Sequence, residues 1–406
     1  MSNSFSVSTF IVKEAMRGLM SRCKVLKSLN TDYSKHFGTT PVDYRKGGST
    51  IYVPKPELGT IRTGWNMDQA DQSDSTTPIA IDTVRGADMY FTEAEMFSSI
   101  EGGARFSKDK IMPKVSQIAA SIDAYCAEYM ANTIYNVVPV TTIGNAPNSM
   151  SFFSAAGRMI KEGLVPEDSP LNCVISPRTE ETIVGAMAGQ YNPAQNISDM
   201  YTKGQMSKAA GFDWYMSQNM PAHTHGTCTA GTSPAVSGYG VNTLTISGVT
   251  SGGTLKAGDS FYLDTCYPVN FETKSSYSQG QRFVVTADTT ASGANITVSV
   301  KPDIVISGPK QTVSATPVGK NVTFHQTVSG QVVQNDLVFH KDSFALCFAN
   351  LYKPKGLEMA ETFSANGVSV RFIKGFDIKS SEQVSRLDVF FGIRPLRLEW
   401  AGRIIS

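Results

Sequence analysis

The stretch Met220–Pro234, "MPAHTHGTCTAGTSP", decides how the chain is divided. On its N-terminal side the sequence alternates helix-like and strand-like segments. On its C-terminal side, from His223 to about Gln334, it is rich in Gly, Ser, Thr and Val, with few charges and no helical periodicity. There "NTLTISGV", "DSFYLD", "RFVVTA", "NITVSV" and "KNVTFHQ" recur between turn signals, the pattern of a small all-β barrel or sandwich. The α/β texture resumes at "NDLVFHKDSFALCFANL" from Asn335, and the chain ends in the β-rich segments "VSVRFIKGFDI" and "VSRLDVFFGIRPLRLEWAGRII". A β-domain interrupting an α/β domain follows from this order.

The same stretch also poses a question of chemistry. His223, His225 and Cys228 lie within six residues and could be three zinc ligands, with Cys266 or His325 as a fourth. Structural zinc sites draw four ligands, usually from CxxC or HxxxH pairs, whereas a catalytic site manages with three and a water. Neither pairing occurs, and the surrounding small and turn-forming residues suit a connector. The expectation is therefore no metal and no cofactor.

Upstream, "CVISPRTEETIVGAM" reads as a buried strand followed by a helix with Ser176 as N-cap and Pro177 at its first position. "SFFSAAGRMIKEGL" reads as a further helix, and "KAAGFDWYMSQNMP" as turn, short strand and exit. In "SKDKIMPKVSQIAASIDAYCAEYMANTIYN", the residues Ile111, Val115, Ile118, Ile122, Cys126, Tyr129 and Ile134 keep helical spacing, with Tyr125 on the same side. A helix from about Ser107 to Tyr135 would be roughly 40 Å long, the length of a structural spine.

Further upstream, Ile51 and Val53 alternate with polar residues, as do Ile79 and Ile81, giving two strands. Between them runs a polar segment with Trp65, Asp68, Asp71 and Asp74, so the pair reads as an extended hairpin with an acidic tip. The aspartates lack the glycine and terminal glutamate of a calcium loop. A hairpin with so little core of its own needs another surface to lie against. Those four residues are the candidates for inter-subunit contact. Residues 8 to 29 form a rough basic amphipathic helix, read as an arm packed on its own protein or a neighbour.

Composition narrows the function. The chain has 406 residues and a net charge of +1, so no basic stripe points to sequence-reading of nucleic acid. The six cysteines are scattered without CxxC pairs, as expected of reduced, packed thiols. Lys13, Glu14, Arg17 and Arg22 interrupt any signal-peptide core, and no apolar run approaches the roughly 20 residues that span a bilayer. A soluble intracellular product with no membrane partner is the expectation.

Catalytic chemistry finds no constellation. "GDSF" at Gly258–Phe261 is similar to a hydrolase nucleophile block, but no histidine has Asp three residues before it, as those enzymes' base requires. Leu255, Ala257, Phe261 and Leu263 instead read as the buried face of a strand around a Gly-Asp turn. There is no P-loop, no complete GxGxxG and no HExxH, and His340 in "LVFHKDSFAL" reads as a structural residue. No catalytic residue is expected, and the chain reads as a non-enzyme.

The order of parts resembles the major capsid proteins of tailed phages, which share the HK97-like fold, and within them the coat proteins of the Salmonella phage P22 type with their extra barrel-like insertion. "CVISPRTEETIVGAM" is similar to the strand–Pro–helix passage of the capsid axial domain. "GQMSKAAGFDWYMSQNMPAHT" is similar to the segment before the insertion, "LKAGDSFYLD" and "QGQRFVVTADTTASGANITVSVKPDI" to the insertion's own hairpins, and "NDLVFHKDSFAL" to the return strand and helix.

The resemblance implies an α+β, HK97-like chain. Its parts would be an N-terminal arm at 1–40, an extended hairpin (E-loop) at 41–100, the spine helix and peripheral domain at 101–145, and the axial domain at 146–222. An inserted barrel at 223–334, an axial return at 335–365 and C-terminal peripheral strands at 366–406 would follow. It further implies a shell subunit without metal or cofactor that assembles with itself into pentamers and hexamers. Scaffolding protein, a portal and a possible decoration protein would be its partners, and packaged DNA would be touched non-specifically. Its place would be the virion, after assembly in the host bacterial cytoplasm. An encapsulin-like compartment is the alternative on the same fold, though encapsulins generally lack the insertion. A tail-tube or adhesin-like protein would need neither the spine helix nor the α/β segment, and a metal-dependent hydrolase would need zinc at His223, His225 and Cys228.

Overall fold

The protein is described by a computed structural model covering residues 23–37, 50–55, 64–65, 76–92, 112–140, 143–187, 208–326, 328–354, 356, 359–365, 368–378 and 382–406. It is a mixed α+β chain of two compact units. One comprises Met1–Pro54, Thr76–Cys126 and Phe344–Leu396; the other comprises Lys55–Ser75, Ala127–Ser343 and Arg397–Ser406. No helix among the described residues is long and apolar enough to cross a membrane.

The first unit is built on a five-stranded antiparallel sheet around the 14-residue strand Glu382–Pro395, which pairs with Thr83–Thr92, Val368–Asp377 and Phe344–Phe348. Met359–Ala365 adds to the Val368–Asp377 strand. Asp388 at the centre of the long strand is buried and accepts from Arg371 Nη2 at 2.6 Å and Arg386 Nη2 at 2.8 Å. The expected hairpin strands are present. Thr50–Pro54 pairs antiparallel with Thr76–Ala80, from Thr50↔Ala80 to Pro54↔Thr76. Alternation turns Ile79 and Ile81 inward, where they join Phe37, Ala345, Cys347 and Phe390 in one cluster. The candidates Asp68, Asp71 and Asp74 lie outside the described residues, as does the arm before Cys23.

The spine is a 22-residue helix, Met112–Thr133, about 33 Å long. Pro113 sits in its first turn, where a missing N–H costs nothing. Val115, Ile118, Ile122 and Cys126 form the buried stripe that the spacing predicts, with Ala119 beside it. Asp123 is buried too, and accepts from the Val25 amide at 2.9 Å.

In the second unit the sheet order is Val137–Pro139, Ala401–Ile405, Val332–Phe339, Leu171–Ile175, Phe212–Met216 and Lys208–Ala209. Helices Met150–Glu162 and Pro177–Met187 supply Phe153, Ile160 and Ile183 to the core on this sheet. The expected cap is present, with the Thr179 amide donating to Ser176 Oγ at 3.2 Å. One expectation fails. The segment after the return strand is not a helix: a 3₁₀ turn at Lys341–Ser343 leads directly into the strand Phe344–Phe348, all of it buried. A short continuous apolar run carries no period by which to tell helix from strand, and pairing with Ile393 and its neighbours decides it.

Between the entry strand Ala222–Thr224 and the return strand, residues form a six-stranded antiparallel sheet. Its order is Val322–Phe324, Ser260–Leu263, Arg282–Val285, Asn295–Lys301, Thr243–Val249 and Ala230–Tyr239. The two ends of that order meet at the antiparallel bridge Ala235↔Asn321. Leu244, Ile246, Phe261, Phe283, Ile296 and Val298 face one another in its core. The entry and return strands pair with each other, Ala222–Thr224 against Val332–Gln334.

Candidate functional site

The polar centre of the second unit lies where the entry strand meets the Gly-Asp turn. Successive strand residues face opposite ways, so His223 and His225 share a face. Thirty-three residues after His225, Gly258 adopts φ +99°, a conformation that suits glycine, and swings Asp259 toward them. Asp259 Oδ1 then accepts from His223 Nε2 at 2.7 Å and His225 Nδ1 at 2.8 Å. Its other oxygen accepts from the Lys256 amide at 2.8 Å and the Gly226 amide at 3.0 Å. The imidazoles lie edge to face, 5.0 Å between centroids.

Electrostatics fix the protonation states. Burial works against an ionised Asp259, but hydrogen bonds from His223, His225 and the Lys256 amide prevail and hold its carboxyl well below the usual carboxylate range. Burial pulls His225 down, ahead of the opposing effect of Asp259. The favoured arrangement is one anion receiving N–H bonds from two imidazoles. His225 Nε2 is left without a partner among the described residues, in a side chain only 1% exposed.

This cluster corrects the candidate ligand set. His223 and His225 do converge, but the third member is Asp259. Cys228 turns into the apolar core of the inserted sheet, its Sγ directed at the Thr229 carbonyl, and Cys266 packs in that core as well. His325 pairs with Ser260, Nδ1 to Oγ at 3.0 Å. Burial, reinforced by the charges of Arg282 and Arg403, pushes His325 down to about 3, so it is a neutral acceptor or donor and not a base near neutral pH. Ser260 is fully buried, so the "GDSF" serine meets a histidine without reaching a substrate. His340 is packed, as expected: Nδ1 accepts from the Asp342 amide at 3.2 Å and Nε2 contacts Ser169 Oγ at 2.6 Å.

Among the buried ionisable groups that escaped the sequence reading are Arg403 and Asp336. Arg403 in the last strand is fully buried, and its Nη2 donates to the Gly258 carbonyl. Asp336 in the return strand accepts from the Ser176 amide at 2.8 Å and Thr179 Oγ1 at 2.7 Å, fixing the start of the Pro177 helix. Trp65, of the four contact candidates the one among the described residues, is 99% exposed.

The arrangement is a set of buried polar joints beside a cleft lined by His223. The family described as "P22 coat protein - gene protein 5" matches residues 1–405. The chain belongs to the P22 coat protein family. A P22-type coat protein is the major capsid protein of a phage, forming the shell of its head. Similar solved structures include one from Mycobacterium phage Che8, at 9% identity and TM-score 0.48, covering 93% of this chain and 89% of that one. The capsid of Ralstonia phage GP4 is similar at 8% identity and TM-score 0.45, over 88% and 83% of the two chains. The capsid of cyanophage P-SCSP1u follows at 11% identity and TM-score 0.43, over 90% and 84%. No individually curated protein matches this coat protein by sequence.

Proposed function

We propose that the chain works as an HK97-like shell subunit whose extended hairpin lies over a neighbouring copy, and whose residues 223–334 are an inserted barrel domain that supports subunit folding. The N-terminal arm at 1–40 and the hairpin at 41–100 reach outward in this reading. The spine and peripheral segments at 101–145 and 366–406, with the axial segments at 146–222 and 335–365, form the tile. Pentamers and hexamers of this tile close around scaffolding protein, with a portal at one vertex, in the host cytoplasm. A decoration protein is a further partner where one exists.

The observation that carries the reading is Trp65, an indole 99% exposed in the segment that joins two paired strands in sequence. A large aromatic in water gains free energy when a second surface covers it. Asp68, Asp71 and Asp74 follow it within nine residues in sequence and would supply a polar rim of the kind that surrounds such anchors. The net charge of +1 fits a shell that confines DNA without gripping its phosphates.

Deleting Asn66 to Thr76 tests the hairpin's role. The expected result is a folded monomer that forms no shells by electron microscopy, alone or with scaffolding protein. Normal shells from the deletion would overturn it.

A further inference from the structure

We propose that His223, His225 and Asp259 form a three-ligand site for one divalent transition-metal ion, with zinc as its natural occupant. The proposal goes beyond the shell reading and does not depend on it.

The donor set comes first. Two imidazoles and one carboxylate are the protein ligands of open zinc sites, in which a water takes the fourth tetrahedral position, and this nitrogen-rich set disfavours calcium and magnesium. The three candidate ligand atoms lie within 4.8 Å of one another. With metal–ligand bonds of about 2.0–2.1 Å, tetrahedral ligands stand roughly 3.3 Å apart. The present N···O separations of 2.7 and 2.8 Å would therefore open by only about half an ångström.

The carboxylate is already oriented. The Gly226 and Lys256 amides hold Asp259 Oδ2, which leaves Oδ1 facing both imidazoles, as outer-shell donors do for ligating carboxylates. In each imidazole the nitrogen that faces Asp259 Oδ1 would become the metal's, with the ring proton on the other nitrogen. His225 Nε2 has no partner among the described residues whichever ring nitrogen carries the proton, so at His225 the exchange orphans no further group.

Access is available on one side. A cleft of about 250 Å³ is lined by His223 with Asn132, Lys256, Asp288 and Asn335, room for an ion to enter and for a water as fourth ligand. His225 and Asp259 do not line the cleft and are each only 1% exposed, so an ion would reach them past His223. Lys256 on the rim and Arg403 behind the Gly258 carbonyl add positive charge, so affinity falls below that of a four-ligand structural site. Bound metal would tie the entry strand to the Gly-Asp turn of the inserted sheet.

Titrating chelator-stripped full-length protein with cobalt(II) tests the site, because tetrahedral cobalt absorbs in the visible and thiolate ligation adds a near-ultraviolet band. The wild type should bind one ion per chain without the thiolate band, and zinc should displace it and raise Tm. Cys228→Ser should bind equally, whereas His223→Gln, which keeps a donor to Asp259 but loses the imidazole, should bind at least tenfold more weakly. Absence of saturable binding by the wild type overturns the proposal without reference to any variant. So does undiminished binding by His223→Gln, or loss of binding in Cys228→Ser.

Discussion

Arg403 Nη2 donates to the main-chain carbonyl of Gly258, a bond between the last strand of the chain and the turn that positions Asp259. The guanidinium is fully buried, with Nη1 3.4 Å from Asn335 Oδ1 and Nε without a partner among the described residues. Burial pushes its pKa down to about 10, against the favourable charge of Asp259. Truncation removes a large buried side chain and leaves the Gly258 carbonyl unpaired. Arg403→Ala should therefore cost about 3 kcal/mol or more in urea unfolding of the monomer. Arg403→Met keeps most of the volume and relieves the buried charge, so it should cost markedly less. Equal losses for the two would show that the joint depends on charge rather than packing.

Gly258 is the second joint. At φ +99° any side chain is strained, and a Cβ built there would lie 2.5 Å from Asn132 Oδ1 and 3.1 Å from His223 Cε1. Asn132 is at the end of the spine helix, so the clash pushes the turn away from that helix. Gly258→Ala should lower stability by roughly 1–3 kcal/mol, from backbone strain and displaced neighbours together. Asn132→Ala in the same chain should recover part of the loss, which a double-mutant cycle would measure.

These joints explain which features the sequence made legible. The strands of the inserted sheet were readable because period-2 alternation and turn residues are local signals, and Ile246, Phe261 and Val298 are buried where that alternation puts them. The Ser176 cap was readable for the same reason. Phe344–Phe348 was not, since a uniformly apolar run takes its state from the strand it meets. At the polar centre, nearness in sequence grouped Cys228 with the two histidines, whereas the strand places His223 and His225 together and a glycine turn delivers Asp259. A search for Asp three residues before a histidine could not find a partner 34 residues after one. Arg403 did carry a signal: a lone arginine in the "AGRII" strand, which must find buried acceptors if the strand is internal.

His325 and Asp336 should give opposite pH dependences. The folded chain binds a proton on His325 only near pH 3, the unfolded chain near 6.5. Between these the unfolded state holds more protons, so this group's contribution to stability is lost as pH falls through that window. Asp336 is the reverse. Burial raises it to about 6, over the opposing bonds from Thr179 and Ser176, against 3.8 for the free group. The folded state then holds more protons, and stability is lost as pH rises between those values. From pH 4 to 6 the two slopes nearly cancel in the wild type. Relative to it, His325→Gln should lose stability with rising pH and Asp336→Asn should gain it, each by about 1.4 kcal/mol per pH unit. Denaturant melts at pH 4, 5 and 6 would show this, and parallel profiles for all three proteins would refute it.

The inserted segment should fold by itself. Every member of its buried cluster, from Cys228 to Phe324, lies inside residues 223–334, so excision removes none of that core. The bridge Ala235↔Asn321 joins the first and last strands of the sheet, which leaves little edge for another chain to pair with. What excision does remove includes the Arg403 bond to Gly258, the Gln334↔Ala222 pair and the main-chain bonds between Gln334 and Ser406, and these groups open to water when the rest of the chain is absent. The isolated fragment should therefore show a β-type circular dichroism spectrum and a cooperative thermal transition, at a lower Tm than in the full chain. A spectrum without β-structure would mean that the sheet takes its order from the surrounding body, and the idea that it supports folding of the subunit would fall with it.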